Sequence, residues 1–174
     1  MSNPISGVLI FLYQPFLIGD LIEVDNLYGR VNKITLGATY VVTVDAKMLT
    51  VPNIQIINKT VASFTKFPNL RLDIPVTIGL TENLDRVRQL LMDLVERDDD
   101  FMTEPRPRMA VTQLNDYNVA IEQKAWLREE RTHVEKRFQL RERLFTTLTE
   151  VGIDMPLETI QLAAMDVKVH SNGR

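Results

Sequence analysis

Two hydrophobic patterns divide this chain. From Val8 to Ile18 apolar residues run almost unbroken, interrupted only at Gln14 and Pro15. From Leu21 to Phe64 the apolar positions come in short runs rich in Val, Ile and Thr, broken by polar residues. Those runs are LIEV (21–24), RVNKITL (30–36), TYVVTV (39–44), MLTVP (48–52) and TVASF (60–64). β-branched residues between turn signals predict strands, and five strands so closely spaced predict a small barrel or rolled sheet. Asn26 to Gly29 and Asp45-Ala46-Lys47 are the candidate turns. Ala46 weakens the second, because alanine resists positive φ.

Residues 65–69, TKFPN, read as a junction, after which the period changes. LRLDIPVTIGL (70–80) predicts a strand, with Pro75 placing it at an edge or a bulge. Asn83 is a candidate N-cap for a helix whose apolar positions are Leu84, Val87, Leu91, Leu94 and Val95. Asp98-Asp99-Asp100 should end it, because acidic charge opposes the helix dipole at that end. RMAVTQL (108–114) and NVAIEQKAWL (118–127) predict two strands around Asn115-Asp116-Tyr117. Val119, Ile121, Gln123, Ala125 and Leu127 share one side of the second. A long helix follows, with a capping box in Thr132 and Glu135. Its expected buried face is Phe138, Leu144, Phe145, Leu148 and Val151. Gly152 stands at the C′ position and Pro156 beyond it. The order strand, helix, strand, strand, helix resembles a ferredoxin-like unit. A last apolar segment, TIQLAAMDV (159–167), has no evident partner within it.

Composition adds limits. The 174 residues are 45% hydrophobic, enough for a core. A net charge of −3 argues against general nucleic-acid binding. Without cysteine there is no disulfide, thiolate metal site or cysteine nucleophile. Two distant histidines, His133 and His170, give no multi-histidine metal site. No phosphate-cradling glycine loop and no nucleophile elbow occurs, so neither an enzyme nor a cofactor is expected. His133 is expected to be solvated in the first turn of a charged helix, and His170 lies in a polar tail. The cluster Glu96, Asp98, Asp99, Asp100 and Glu104 lacks the pattern of a calcium loop and reads as a solvated helix end. Trp126 reads as a core or subunit contact.

The N-terminal run has no charge before Asp20 and lacks the basic start and cleavage site of a signal peptide. Pro4 and Pro15 bracket ten residues, which as helix reach about 15 Å, half the hydrocarbon thickness of a bilayer. Two readings stay open. The segment is either a buried element of a soluble core or the inner end of a pore helix.

One set of residues joins these pieces. Tyr13-Gln14-Pro15-Phe16-Leu17-Ile18-Gly19-Asp20 is followed by Gly29-Arg30-Val31, Thr43-Val44-Asp45 and Val51-Pro52-Asn53. In order and spacing it resembles the small-conductance mechanosensitive channel family. That family has an apolar pore helix running into aromatic-x-Pro-Phe-x-x-Gly-Asp/Glu, then a Gly-x-Val turn, a Thr-x-Asp hairpin and an Ile/Val-Pro-Asn step. Gly7 falls where the family often has a hinge glycine, and Gly152 and Pro156 retain its Gly-Ile-x-x-Pro ending. Gln14 replaces a common basic residue, Asp25-Asn26 a frequent glycine pair, and Ala46 the hairpin glycine.

The resemblance implies an α+β chain: a pore-helix end at 1–15, an Sm-like β-domain at 16–65, an α/β domain at 66–155, a C-terminal strand at 156–167 and a tail at 168–174. It implies seven identical copies forming a hollow cage, with the last strands closing a small intersubunit barrel. It also implies an inner-membrane channel that releases ions and small osmolytes on membrane tension, with this portion on the cytoplasmic side. Its partners would be other copies of the chain and the lipid bilayer, with no nucleic acid. The tension-sensing helices are not in this sequence, so it is expected to be part of a longer channel or to start at an internal methionine. It is expected to stay soluble or to associate weakly with detergent through residues 5–18. The alternative is a ring-forming, Sm-like RNA-binding module. That needs a basic stripe, whereas in residues 16–64 Arg30, Lys33, Lys47 and Lys59 face Asp20, Glu23, Asp25 and Asp45.

Overall fold

Proline sets the first boundary. In the computed structural model, which describes residues 4–156, helix α1 spans Pro4–Tyr13. Pro15 has no N–H to continue the helix and disfavours helical backbone at the residue before it. Gln14 accordingly takes φ +42°. Among the described residues, no helix is long and apolar enough to cross a membrane.

Five strands follow: β1 (Leu21–Val24), β2 (Leu27–Ile34), β3 (Ala38–Val42), β4 (Met48–Pro52) and β5 (Val61–Ser63). They form one antiparallel sheet in the order β4-β3-β2-β1-β5. A short helix absent from the sequence reading, α2 (Asn53–Ile57), connects β4 to β5. The core of this unit is Ile10, Phe16, Ile22, Val24, Val31, Val41, Val51 and Ile56, so one face of α1 belongs to it.

The first turn expectation needs correction, and the second turn falls where expected. The β1–β2 turn is the pair Asp25-Asn26, at φ +48° and +64°, not 26–29. Two consecutive left-handed residues match the strand twist of a tight hairpin, and Asp and Asn tolerate that backbone. Gly29 lies inside β2, where an added Cβ would come 2.5 Å from the Val42 carbonyl oxygen. Its absent side chain admits the neighbouring strand. Ala46 does adopt positive φ, +63°, at a cost of about 1 kcal/mol. Thr43 offsets this by receiving the Lys47 N–H on its hydroxyl at 3.1 Å and bonding the Asp45 carboxylate.

The second unit contains β6 (Arg71–Gly79), α3 (Leu84–Glu96), β7 (Arg108–Leu114), β8 (Asn118–Trp126) and α4 (His133–Glu150). Its antiparallel sheet has the order β6-β8-β7. Pro75 therefore sits on an edge strand, where its missing N–H costs no ladder bond toward a further strand. The alternating side of β8 is fully buried, including Gln123. It packs with Leu72, Ile74 and Ile78 of β6 against Val87, Leu91 and Val95 of α3 and Leu140, Leu144 and Leu148 of α4. Asn83 caps α3 by accepting from the N–H groups of Asp85 and Arg86 at 2.9 and 3.1 Å. Replacing Asn83 with alanine should destabilise this unit by about 1 kcal/mol. Urea unfolding should then show a lower midpoint at an unchanged slope.

The reading of α4 is corrected at its N-terminal cap and along its buried face. Thr132 makes no side-chain cap to the helix; its hydroxyl donates back to the Glu129 carbonyl at 2.9 Å. A 3₁₀ turn at Glu130–Thr132 precedes the helix and is capped instead by the Glu129 side chain, which accepts from the Arg131 N–H. Phe138, Phe145 and Val151 lie on the exposed side, at 61%, 62% and 36% exposure; Leu140, Leu144 and Leu148 form the buried stripe. Gly152, at φ +74°, ends the helix. Ile153 N–H reaches the Leu148 carbonyl and Gly152 N–H the Thr149 carbonyl, the pairing of a Schellman motif. The acidic cluster is not merely solvated: Asp98 pairs with Arg143, Asp100 with Lys136 and Glu96 with Arg106. The expected last strand and His170 lie outside the described residues.

Candidate functional site: helix seat and inter-unit joint

The end of α1 rests on a seat that three of the singled-out motifs build together. Gly7 packs against main chain of the β2–β3 connection, where an added Cβ would come 2.1 Å from the Leu36 carbonyl oxygen. That connection is held from behind by buried Asn53. The Asn53 amide nitrogen donates to the Thr35 and Leu36 carbonyls at 2.7 and 3.2 Å. Its carbonyl oxygen accepts from the hydroxyl of buried Thr39 at 2.8 Å, and its backbone N–H donates to the Gly37 carbonyl. Pro52 immediately precedes it and turns β4 into α2. The Leu36 carbonyl oxygen thus stands between Gly7 and Asn53.

The turn between α1 and β1 is fixed with equal care. Phe16 is 1% exposed and plugs the first core. Gly19 takes φ +95°. Asp20 closes the turn by accepting from the Leu17 N–H at 2.7 Å and, through its other oxygen, from the Thr65 hydroxyl at 2.9 Å. Lys66 donates to the Gln14 and Pro15 carbonyls at 2.9 and 3.2 Å, placing a cation at the carbonyl end of α1. Arg131, ahead of α4, reaches the Gly19 carbonyl at 3.3 Å. The sequence reading singled out Gly7, Pro15, Phe16, Gly19, Asp20, Pro52 and Asn53, and the fold gathers them at this seat. It did not single out Thr65, Lys66 or Arg131. A basic residue in the junction, in reach of a proline-terminated helix, was the available signal. Val31, buried in the first core, Thr43 and Asp45 in the β3–β4 hairpin, Gly29 in β2, and Gly152 and Pro156 at the far end of α4 lie elsewhere.

Outside the core, α1 presents apolar surface. Phe11, Leu12 and Tyr13 are 74%, 68% and 78% exposed, and Leu17 and Ile18 continue the surface beyond Pro15. The helix is amphipathic in a particular sense: one face fits protein and the other offers apolar side chains outward.

A second contact joins the two units. His133, expected to be solvated, is 2% exposed. Its ring stacks on Phe64 at 4.7 Å and meets Tyr28 edge-on at 5.5 Å. Nδ1 lies 2.8 Å from the Glu130 carbonyl and Nε2 lies 3.2 Å from the Tyr28 hydroxyl. A carbonyl only accepts, so Nδ1 carries the proton and Nε2 accepts from the tyrosine. Burial pushes the His133 pKa below its ordinary value and that of Tyr28 above it. Among the described residues, no cluster of acidic or histidine side chains is arranged to hold a metal ion.

Comparison with known proteins agrees with this geometry. The family described as mechanosensitive ion channel, beta-domain, matches residues 1–66. An uncharacterized MscS family protein of Synechocystis is 30% identical over 90% of this chain and 52% of its own length. The small-conductance mechanosensitive channel of Edwardsiella ictaluri is 32% identical over 66% of this chain and 42% of its own length. The chain therefore spans about half the length of these curated relatives. The crystal structure of Helicobacter pylori MscS in its closed state superposes with a TM-score of 0.81 at 19% identity, over 93% of this chain and 64% of that one, and shows the same fold. With its α+β fold shared, its helix-to-sheet unit matched and relatives aligned across most of its length, the chain belongs to the small-conductance mechanosensitive channel family.

Proposed function

We propose that this chain is the cytoplasmic cage portion of a mechanosensitive channel of the inner membrane, one that releases ions and small osmolytes when osmotic downshock raises membrane tension. The observation that carries the reading is the seat. A helix with an outward apolar face is fixed, through Gly7 and the 14–20 turn, to a β-unit that begins where the first charge, Asp20, appears. Residues 1–15 then act as the inner end of a pore helix, 16–65 as a collar below the bilayer and 66–155 as the cage wall, with 156–167 joining a barrel between subunits. Tension favours whichever conformer has the larger area in the membrane plane. Joined to its collar at a close main-chain contact, the helix end cannot move without the collar moving or the contact separating. The cage filters solutes and ties the subunits together. It does no chemistry, takes no cofactor and binds no nucleic acid.

Assembly gives the direct test. Light scattering of the purified chain should give a particle of seven times 20.0 kDa. A stable monomer at concentrations well above those in the cell would count against the cage.

A further inference from the structure

We propose that His133 makes the joint between the five-stranded and three-stranded units proton-sensitive, closed when its ring is neutral and loosened when the ring is protonated. The geometry carries this. The ring belongs to α4 of the second unit, but both aromatic neighbours, Tyr28 and Phe64, belong to the first. The residue is 2% exposed. In the neutral ring Nδ1–H donates to the Glu130 carbonyl and Nε2 accepts from the Tyr28 hydroxyl, so both nitrogens are satisfied. Protonation puts a second N–H on Nε2, pointing at a hydroxyl that was itself donating along the same line. The hydroxyl must turn its proton away from the ring and lose that acceptor, its oxygen then accepting from Nε2–H, and the charge must be held where burial removes most of its hydration.

The surroundings do little to welcome that charge. Tyr28 and Arg30 come from β2 and Glu23 from β1. The segment after β5 contributes Phe64, which is neutral. Glu130 faces the ring through its main-chain carbonyl, and Arg137 stands one turn further along α4. Glu23, Tyr28, Phe64, His133 and Arg137 share one small cavity. Glu23 is the one carboxylate lining it, against Arg137 in the same space. Burial lowers the proton affinity of the ring, the Glu130 carbonyl raises it and Arg137 lowers it, with lowering as the net direction.

The sign of the pH effect follows. The separated joint exposes the histidine at its ordinary pKa of about 6.5, and the closed joint holds it lower. The open form therefore binds more protons, and the closed form loses ground as pH falls through and below that ordinary value. For the proposed cage, which is the reading this consequence rests on, acidification would free the wall unit from the collar.

The test follows hydrogen exchange of β1, β2, residues 61–65 and the first turn of α4 in the whole chain, from about pH 7.5 to about pH 5.5, bracketing the free histidine pKa. Values are corrected for the intrinsic pH dependence of exchange. In the unsubstituted chain, exchange at these segments should rise by up to about tenfold per pH unit below that pKa, while the buried middle of β8 stays protected. His133→Phe retains a ring to stack on Phe64 but cannot ionise, and its joint should be flat with pH. The His133 Cε1–H resonance, assigned by its loss in that variant, should titrate below the ordinary value. Equal pH slopes in both chains would overturn the proposal, as would a His133 that titrates at or above that value. Should His133→Phe fail to fold, Tyr28→Phe serves: it removes the hydroxyl that donates to the neutral ring and should reduce the slope, and an unchanged slope would overturn the idea. None of these outcomes depends on particle mass, so this proposal and the cage can fail separately.

Discussion

Replacing Gly7 with alanine should unseat the first helix. In an exposed helix the same change would gain up to about 1 kcal/mol, since alanine is the better helix former. Here the new methyl group would stand 2.1 Å from the Leu36 carbonyl oxygen and 2.5 Å from its Cα, whereas real Cβ contacts essentially never fall under 3.0 Å. The neighbours are main-chain atoms of a turn that Asn53 holds in place, so no flexible side chain can swing aside. Two responses are open. The turn can yield, at the roughly 1–3 kcal/mol of an overpacked core. Alternatively the helix can lift, uncovering Ile10, whose burial is worth about 1.5–3 kcal/mol. Either exceeds the propensity gain. We expect a net loss of about 1–2 kcal/mol in urea unfolding, with faster hydrogen exchange in residues 35–38 and along α1. Val8→Ala, at a half-exposed position on the same helix, should change both less. In a full-length channel the seat would bear directly on how the helix end moves. A Gly7→Ala chain as stable as the parent, with unaltered exchange, would show that the contact does not hold the helix.

How much of this was legible beforehand depended on the range of the interactions. Local signals read well. Pro15 ended a helix, Asn83 capped one and Gly152 closed one, because each acts within a turn of its own position. Strand alternation in β8 read correctly because a period of two survives any topology. What failed was decided by partners far along the chain. Phe138 and Phe145 look like core residues by size, yet the helix turns Leu140, Leu144 and Leu148 inward. His133 sits among charged residues in sequence and among aromatic rings in space, because Tyr28 and Phe64 come to it from another unit. Ala46 is the local exception: it accepts a left-handed backbone because Thr43, three residues before it, binds the turn. At the seat, the motif order was visible as a pattern. The reason for it, that Asn53 braces the carbonyl on which Gly7 rests, needed the fold.

That bracing makes Asn53 the position with the largest expected effect on the first unit. Asn53→Ala removes an acceptor from the Thr39 hydroxyl and donors from the Thr35 and Leu36 carbonyls. The two carbonyls lie in a partly exposed turn and can recover water, which limits their share of the loss. Thr39 cannot, since it is fully buried, and an orphaned buried hydroxyl costs about 1–3 kcal/mol. With the small cavity added, we expect about 3 kcal/mol in all, enough to leave the isolated unit marginal. Asn53→Asp should be no milder. It keeps the acceptor for Thr39 but turns an anionic oxygen toward two carbonyl oxygens. The double substitution Asn53→Ala with Thr39→Val separates the hydroxyl from the rest. Removing both partners of a buried hydrogen bond is far cheaper than removing one, so the pair should be less destabilised than the sum of the single changes by at least about 1 kcal/mol. Denaturation of the four chains of that cycle decides the matter. Additive effects would mean that Thr39 finds another partner. An Asn53→Ala chain within about 0.5 kcal/mol of the parent would mean that the turn under Gly7 supports itself, and the helix seat would have to be explained without it.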